Sequence, residues 1–371
     1  MSAVALISTL AILVIWFGYP LVVAGLAAFV GRRPKEIAPS EKRLSVIIAT
    51  LDSAEVIRAR VDDIMAAEYP GELIQVVIGL DQRGSVAPDS LGFTDPRVRA
   101  VAGDAPGGKA ATLNAAVRAA TGEILVFSDA AQRFAPGAIR RLVAALADPR
   151  LGAVSGALQI GRDGKTATLA ERYWRFEKWL REREARVHST VGVTGAVYAM
   201  RRECWHPLPA GLILDDVYAP MHLVLRGYRV GFEPGATAYD DRRFPPAQEY
   251  RRKARTLTGV VQLCIWLPEI LVPWRNPIWA QFLFHKLLRL ATPYLLLLAV
   301  FGAGGWLVLE AETTRPWLGG VVLAGIVAMC SAAVAAIPRL RQAAAMALAM
   351  QMAVVRATVN GLRGHWDVWS R

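Results

Sequence analysis

Glu123-Ile124-Leu125-Val126-Phe127-Ser128-Asp129 has the pattern of a strand buried on both faces, with a carboxylate at its carboxyl end. Working upstream, residues 109–120 read as a helix, and Arg97–Ala102, Leu73–Leu80 and Leu44–Thr50 read as strands. A further helix falls between Val56 and Ala67. Strands alternating with helices predict an α/β domain with a largely parallel, doubly wound sheet over about Leu44–Arg255. In such sheets ligands gather beyond the carboxyl ends of the strands, which singles out Asp52, Asp81 and Asp129, with Thr50 closing the first strand. No G-x-G-x-x-G or G-x-x-x-x-G-K-[ST] follows a strand, which weakens dinucleotide-oxidoreductase and P-loop readings.

Composition sets the frame around this domain. The 371 residues are 54% hydrophobic and 20% charged, with mean hydropathy +0.32, which excludes a disordered polar chain. Three dispersed cysteines with no C-x-x-C spacing exclude a disulfide framework and a sequence-local zinc knuckle, and fit a reducing compartment. The net charge of +12 permits nucleic acid, anionic lipid or a phosphorylated substrate. Much of the positive charge flanks apolar segments, so no nucleic-acid partner is expected.

The uncharged stretch Ala3–Val30 exceeds the roughly 20 residues that cross a bilayer core and reads as a transmembrane helix within segment 1–31, not a signal peptide. Arg32, Arg33 and Lys35 follow it, and basic flanks stay cytoplasmic. This places the domain at 40–255 in the cytosol, beside the inner (cell) membrane. Segment 256–285, with Trp266, Trp274 and Trp279 among Pro268, Pro273 and Pro277, reads as an interfacial amphipathic segment or as a helix packed on the domain. Segment 286–371 holds a predicted hairpin, Leu287–Leu309 and Trp317–Ile337, turning through Glu310, Glu312 and Arg315. A last stretch, Ala343–Val359, either spans or lies in the interface, and Arg363 and Arg371 follow it. A multi-pass protein in contact with membrane lipids results.

Each candidate residue carries two readings. Asp129 suits a divalent cation, or caps a helix starting near Pro136. Gly107-Gly108-Lys109 before a helix bearing Asn114 suits a diphosphate, or is a surface turn. The adjacent Asp215 and Asp216 repel one another and supply a general base, or decorate a helix N-terminus. Arg251, Arg252, Lys253 and Arg255 hold lipid headgroups or a leaving diphosphate.

In order along the chain, these segments resemble glycosyltransferase family 2, in particular its membrane-embedded members related to cellulose, chitin and hyaluronan synthases. The resemblance rests on Ser45-Val46-Ile47-Ile48, Gly108-Lys109-Ala110-Ala111-Thr112-Leu113-Asn114, and Thr121 through Ala130. It continues in Tyr173-Trp174-Arg175-Phe176-Glu177, Gly195-Ala196-Val197-Tyr198-Ala199, Leu214-Asp215-Asp216, Gly227 through Pro234, and the arginines near Arg255. It covers about Leu44–His285, and less specifically the rest.

The resemblance implies a GT-A fold and an inverting sugar transfer from a nucleotide-diphosphate sugar, a UDP-sugar foremost, to a carbohydrate or lipid acceptor. Polysaccharide or exopolysaccharide synthesis, single transfer to a lipid, or a non-catalytic sugar-nucleotide-binding subunit are the readings it leaves, with a secretion or assembly partner allowed. By position, Asp52 and Asp81 would meet the nucleotide, Lys109 the donor, and Asp129 a Mg2+- or Mn2+-bound diphosphate. Asp216 would be the base with Asp215 beside it, Arg255 would face the leaving group, and Gly195, Trp174 and Glu177 would line the acceptor side. The chain departs from the family pattern at four points. Ala131 replaces the second acid of D-x-D, Asp52-Ser53 replaces Asn-Glu, Thr256 and Arg252 stand where tryptophan and glutamine are usual, and the C-terminal spans are fewer than in the large synthases.

Overall fold

The computed structural model describes residues 2–31, 41–160, 169–242, 246–314 and 318–366. The chain forms two compact units, one of Val23–Phe244, Gln262–Phe282 and Trp366–Arg371, the other of Met1–Val22, Pro245–Val261 and Leu283–His365. In chain order, α1 (Ser2–Leu13) and α2 (Tyr19–Phe29) are joined by a π-helical turn. Then come β1 (Leu44–Thr50), α3 (Ala54–Met65), β2 (Ile74–Leu80), β3 (Val98–Ala102), α4 (Lys109–Ala119), β4 (Ile124–Ser128) and β5 (Arg133–Phe134). They are followed by α5 (Ala138–Ala145), β6 (Leu151–Ile160), α6 (Leu169–Val187), β7 (Tyr198–Arg201), α7 (Asp215–Leu225) and β8 (Arg229–Asp240). The chain continues through α8 (Pro246–Trp266), α9 (Trp279–Phe282), α10 (Thr292–Thr314), α11 (Leu318–Ala336) and α12 (Pro338–Leu362).

The larger unit is built on one eight-stranded sheet in the order β3-β2-β1-β4-β7-β6-β8-β5. Strands β3, β2, β1 and β4 are parallel, so their carboxyl ends, and the acids that follow them, share one edge. β7 enters antiparallel between β4 and β6, and β5 pairs antiparallel with β8. The expected α/β sheet is thus present, and its second half is mixed, with β7 antiparallel to both neighbours although α6 and α7 flank it in the chain. Alternation sorts the strand side chains: Val46, Ile48, Val76, Ile78 and Val126 pack with Ile57, Val61 and Ile64 of α3 and Ile139 and Leu142 of α5. Each such fully buried aliphatic chain contributes about 1.5–3 kcal/mol.

On the other face α4 lies close because its inner side is alanine and Gly79 lacks a side chain. A β-carbon there would come within 2.8 Å of Thr112. At the amino ends of the strands a polar pin fixes the register: Ser45 Oγ donates to Gln75 Oε1 at 2.6 Å and accepts from Gly122 N at 2.9 Å, and Thr121 N donates to Gln75 Oε1 at 2.9 Å.

In the other unit, three runs are long and apolar enough to cross a membrane: Ala3–Phe29, Trp279–Leu307 and Leu340–Leu362, the first and second also including residues of the larger unit. Leu6, Ile7, Phe17 and Leu21 stand exposed, as lipid-facing residues would. The N-terminal helix is tied by Trp16 Nε1 donating to Thr292 Oγ1 at 3.1 Å, by Arg289 over the Trp16 ring at 4.6 Å, and by Tyr19 stacked on Phe284.

The second hairpin limb, expected from Trp317 to Ile337, is α11, whose apolar run Gly320–Ala336 is shorter than the three spans. The final stretch, expected either to span or to lie in the interface, falls in the longer helix α12, whose run Leu340–Leu362 is long and apolar enough to cross a membrane. The boundary expected at 255/256 falls inside α8, since no proline interrupts the chain between Pro246 and Pro268. Arg32, Arg33, Lys35, Arg315, Trp317 and Arg371 lie outside the described residues, as do the side chains of Glu310 and Glu312.

Gly122 is required by close approach: a β-carbon would lie 2.4 Å from Leu44 C and 2.5 Å from Ser45 N. Gly122→Ala is therefore expected to destabilise the chain by about 3 kcal/mol, measured as a fall in thermal or denaturant midpoint.

Candidate active site

The site lies at the carboxyl edge of the parallel strands. At the end of β1, Thr50 Oγ1 donates to Asp52 Oδ2 at 2.9 Å and accepts from Asp52 N at 2.9 Å, closing a tight turn. After β2, Asp81 is buried and accepts from Arg83 Nε, Nη2 and N and from Gly108 N at 2.8–3.1 Å. Burial raises the Asp81 carboxyl, but the Arg83 guanidinium and the two backbone N–H groups outweigh it and leave it below its ordinary value. Gly107 and Gly108 take φ of +87° and +95°, where a side chain would be strained, so the turn presents the start of α4. Asp81 thus organises the turn that carries Lys109.

Lys109, the first residue of α4, is the hub. Its Nζ lies 3.2 Å from Asp215 Oδ2 and 3.6 Å from Asp129 Oδ1, joining the end of β4 to the start of α7. Burial opposes its charge, yet Asp215, Asp129 and Asp216 together hold the ammonium well above its ordinary pKa. A methyl group at Gly195 would sit 3.5 Å from Lys109 Nζ and 3.8 Å from Asp216 Oδ2, so the bare glycine leaves room where the ammonium and the second acid converge.

Asp215 and Asp216 do open a helix, so the dipole reading is realised together with the ionic one. Asp215 is buried against Lys109, and Asp216 is half-buried. The loop before them is clamped by Gln262 of α8, whose Oε1 accepts from Ile213 N at 2.9 Å and whose Nε2 donates to Gly211 O at 3.0 Å. Within α7, Pro220 has no N–H to give the carbonyl four residues back, and that carbonyl, Asp216 O, accepts from Val193 N at 2.8 Å.

On α6, Glu177 is buried, Trp174 precedes it by one turn, and Arg181 follows by another. Arg181 donates to Gly192 O at 2.9 Å and to Thr194 Oγ1 at 3.2 Å. Burial lowers its pKa, and Glu177, Asp216 and Glu184 oppose that. Tyr198, buried at the start of β7 and stacked on Phe127, is pushed well above its ordinary pKa by burial and by Asp215, Asp216 and Asp129, and stays neutral.

The cap reading of Asp129 fails, because Gly137 caps α5 and Asp129 is ion-paired. The surface-turn reading of Lys109 fails for the same reason, its side chain being 22% exposed. Asn114 is engaged elsewhere: its Nδ2 donates to Leu208 O and its Oδ1 accepts from Leu208 N. Thr50, Asp52, Asp81, Lys109, Asp129, Gly195, Asp215, Asp216, Trp174 and Glu177 all lie in the larger unit. Arg255 lies on α8 in the stretch assigned to the other unit, two turns before Gln262 on the same helix face. Sequence reasoning gave no role to Arg181, Gln262 or Tyr198. The available signals were the four-residue spacing of Arg181 from Glu177 and the place of Tyr198 in the segment beginning at Gly195.

Among the described residues no group of three or more His, Cys, Asp or Glu forms a metal cage. Asp129 stands with 40% of its side chain exposed, and Ala130 beside it is buried. One accessible carboxylate suits an ion such as Mg2+ that keeps waters and takes substrate phosphate oxygens, so the residues present fit that mode of binding.

Residues 41–259 match the family described as Glycosyltransferase like family 2, and the chain belongs to that family. No curated protein sequence matches it. Among solved structures, the chain resembles the mannosyltransferase PcManGT from Pyrobaculum calidifontis, solved with GDP-Man and Mn2+. That match has 24% identity and a TM-score of 0.70 over 97% of this chain and 98% of that one. A weaker likeness is to TarS 1–349 of S. aureus, with 14% identity and a TM-score of 0.41 over 59% of this chain and 65% of that one. The fold is therefore the GT-A fold of this family, accompanied by apolar N- and C-terminal helices.

Because the Lys109 pKa is raised, its stabilising pairs are fully present below the unfolded value near 10.4 and are lost only as pH rises through the higher folded value. Lys109→Met should lower the melting temperature by the same amount at pH 6.5 and pH 9, as measured by scanning fluorimetry.

Proposed function

We propose that the chain is an inverting glycosyltransferase that moves a sugar from a nucleotide-diphosphate donor to an acceptor hydroxyl at the cytosolic face of the membrane. The observation that carries this reading is the convergence of Asp129, Asp215 and Asp216 on Lys109 at the carboxyl edge of the sheet. In the proposed reaction Asp216 takes the acceptor's proton while the oxygen attacks the anomeric carbon from the face opposite the diphosphate. The bond to the diphosphate oxygen breaks as the new glycosidic bond forms, and the nucleoside diphosphate leaves with the electron pair. Asp215 suits the base role less well, because it is buried against the ammonium. Lys109 remains a cation and faces the diphosphate. A divalent cation, Mg2+ or Mn2+, held by Asp129 and the diphosphate oxygens, would offset charge on the leaving group. Asp52 and Asp81 are assigned to the nucleotide side, Trp174, Glu177 and Gly195 to the acceptor side, and Arg255 to the leaving group.

The product is proposed to be a polysaccharide or exopolysaccharide of the cellulose, chitin and hyaluronan synthase type. A second reading, one sugar transferred to a lipid, is favoured by Thr256 and Arg252, which replace the tryptophan and glutamine of the processive members. Membranes incubated with radiolabelled UDP-sugars and GDP-mannose are expected to yield a ladder on sizing, whereas one chloroform-soluble product establishes the lipid reading. Asp216→Asn should lower kcat by about 1,000-fold and leave donor binding intact. Binding without hydrolysis or transfer, unchanged in that variant, would establish a non-catalytic subunit. A protease added to sealed vesicles should cut the 40–255 region in inverted vesicles and spare it in right-side-out ones.

A further inference from the structure

Helix α3 turns Ile57, Val61 and Ile64 into the core, and Arg60 on the same face is completely buried. A guanidinium buried on this face carries a desolvation cost that a well-packed apolar residue would avoid. Burial brings its pKa down to about 10, against the opposing pull of Asp63, so it is a cation at neutral pH. Its contacts are specific. Nε and Nη2 donate to Ser128 Oγ at 3.2 and 2.6 Å, Nη1 pairs with Asp63, and the guanidinium plane lies over the Phe134 ring at 4.1 Å. The Ser128 hydroxyl, accepting from the guanidinium, donates to the carbonyl oxygen of Asp129 at 3.0 Å.

One buried cation therefore grips both ends of the segment that carries Asp129: the last residue of β4 and the aromatic ring of β5. Between them Ala130 is buried, and Gln132 Nε2 donates to Asp240 Oδ2 at 2.9 Å. This segment is also where Ala131 replaces the usual second acid, so Asp129 is its only carboxylate.

We infer that Arg60 is a positioning residue, which through Ser128 fixes the backbone from which Asp129 presents its carboxylate to the donor diphosphate and its cation. The inference rests on the donor-site reading of Asp129 and deepens it: rigidity supplied from beneath the sheet edge accompanies the absence of a second ligand. Groups that orient a metal-binding side chain commonly change metal affinity by about 10–100-fold when removed.

The test is Mn2+ binding to the purified full chain in detergent, read by the EPR signal of free Mn2+ with UDP and, in parallel, with GDP. Melting temperature is measured alongside. Ser128→Ala should bind Mn2+ about 10-fold more weakly, and Arg60→Lys, which keeps the charge but not the two-point hold on Ser128, should lose less. Ser128→Thr, which keeps the hydroxyl, should bind as the parent chain does. If Asp129→Asn loses Mn2+ affinity while Ser128→Ala and Arg60→Lys bind as the parent, the positioning role is overturned and the donor site stands. A fall in melting temperature without a fall in affinity has the same meaning. If Asp129→Asn also binds as the parent, or the parent binds Mn2+ with neither nucleotide, the donor-site reading fails and this inference fails with it.

Discussion

An ammonium ion held between two carboxylates that lie far apart in the chain, Asp129 after β4 and Asp215 at the head of α7, organises this edge of the larger unit. Both acids pair with the same ammonium. Three carboxylates crowded at one edge would repel one another, and desolvation would add to that cost. The ammonium resolves both, and the surrounding structure serves to deliver it. Asp81 and the two glycines set the turn, the alanine face of α4 brings the helix against Gly79, and Gln262 fixes the loop that leads into Asp215.

The sheet explains why this edge can carry so much charge. Four parallel strands place all their carbonyl ends, and the segments following them, on one side, while Val46, Ile48, Val76, Ile78 and Val126 anchor them in a dry interior. Polar contacts at the other end, among Ser45, Gln75 and Gly122, hold register at the amino ends of the strands. The carboxylates of Asp81, Asp129 and Asp215 and the Lys109 ammonium thus gather at that rim, while Arg60 lies buried beneath it.

Much of this was legible in the chain. The strands ending at Thr50, Leu80 and Ser128 were readable because each is a short, largely apolar run, and the acids that follow them stand out by contrast. Lys109 and the Asp215-Asp216 pair were visible as residue types, but their shared ion pair was not, since it joins positions more than a hundred residues apart. Arg60 escaped notice because an arginine on an amphipathic helix ordinarily faces water, and nothing local marks it as buried. The antiparallel insertion of β7 was equally hidden, for its four residues carry no signal of direction. The continuity of α8 across 255/256 was hidden, because the tryptophans and prolines further on mark a change of pattern there.

The imino acid in the second turn of α7 gives the carboxylate pair an unusual foundation. In an unbroken helix the carbonyl of Asp216 would belong to its own spiral, whereas here the ring at Pro220 releases it and Val193 takes it up. The orientation of that acid is accordingly a joint property of the helix and of the neighbouring loop through Gly192 and Thr194, which Arg181 in turn holds from α6. A missing donor in one element has become the stitch that binds two others to the chemistry.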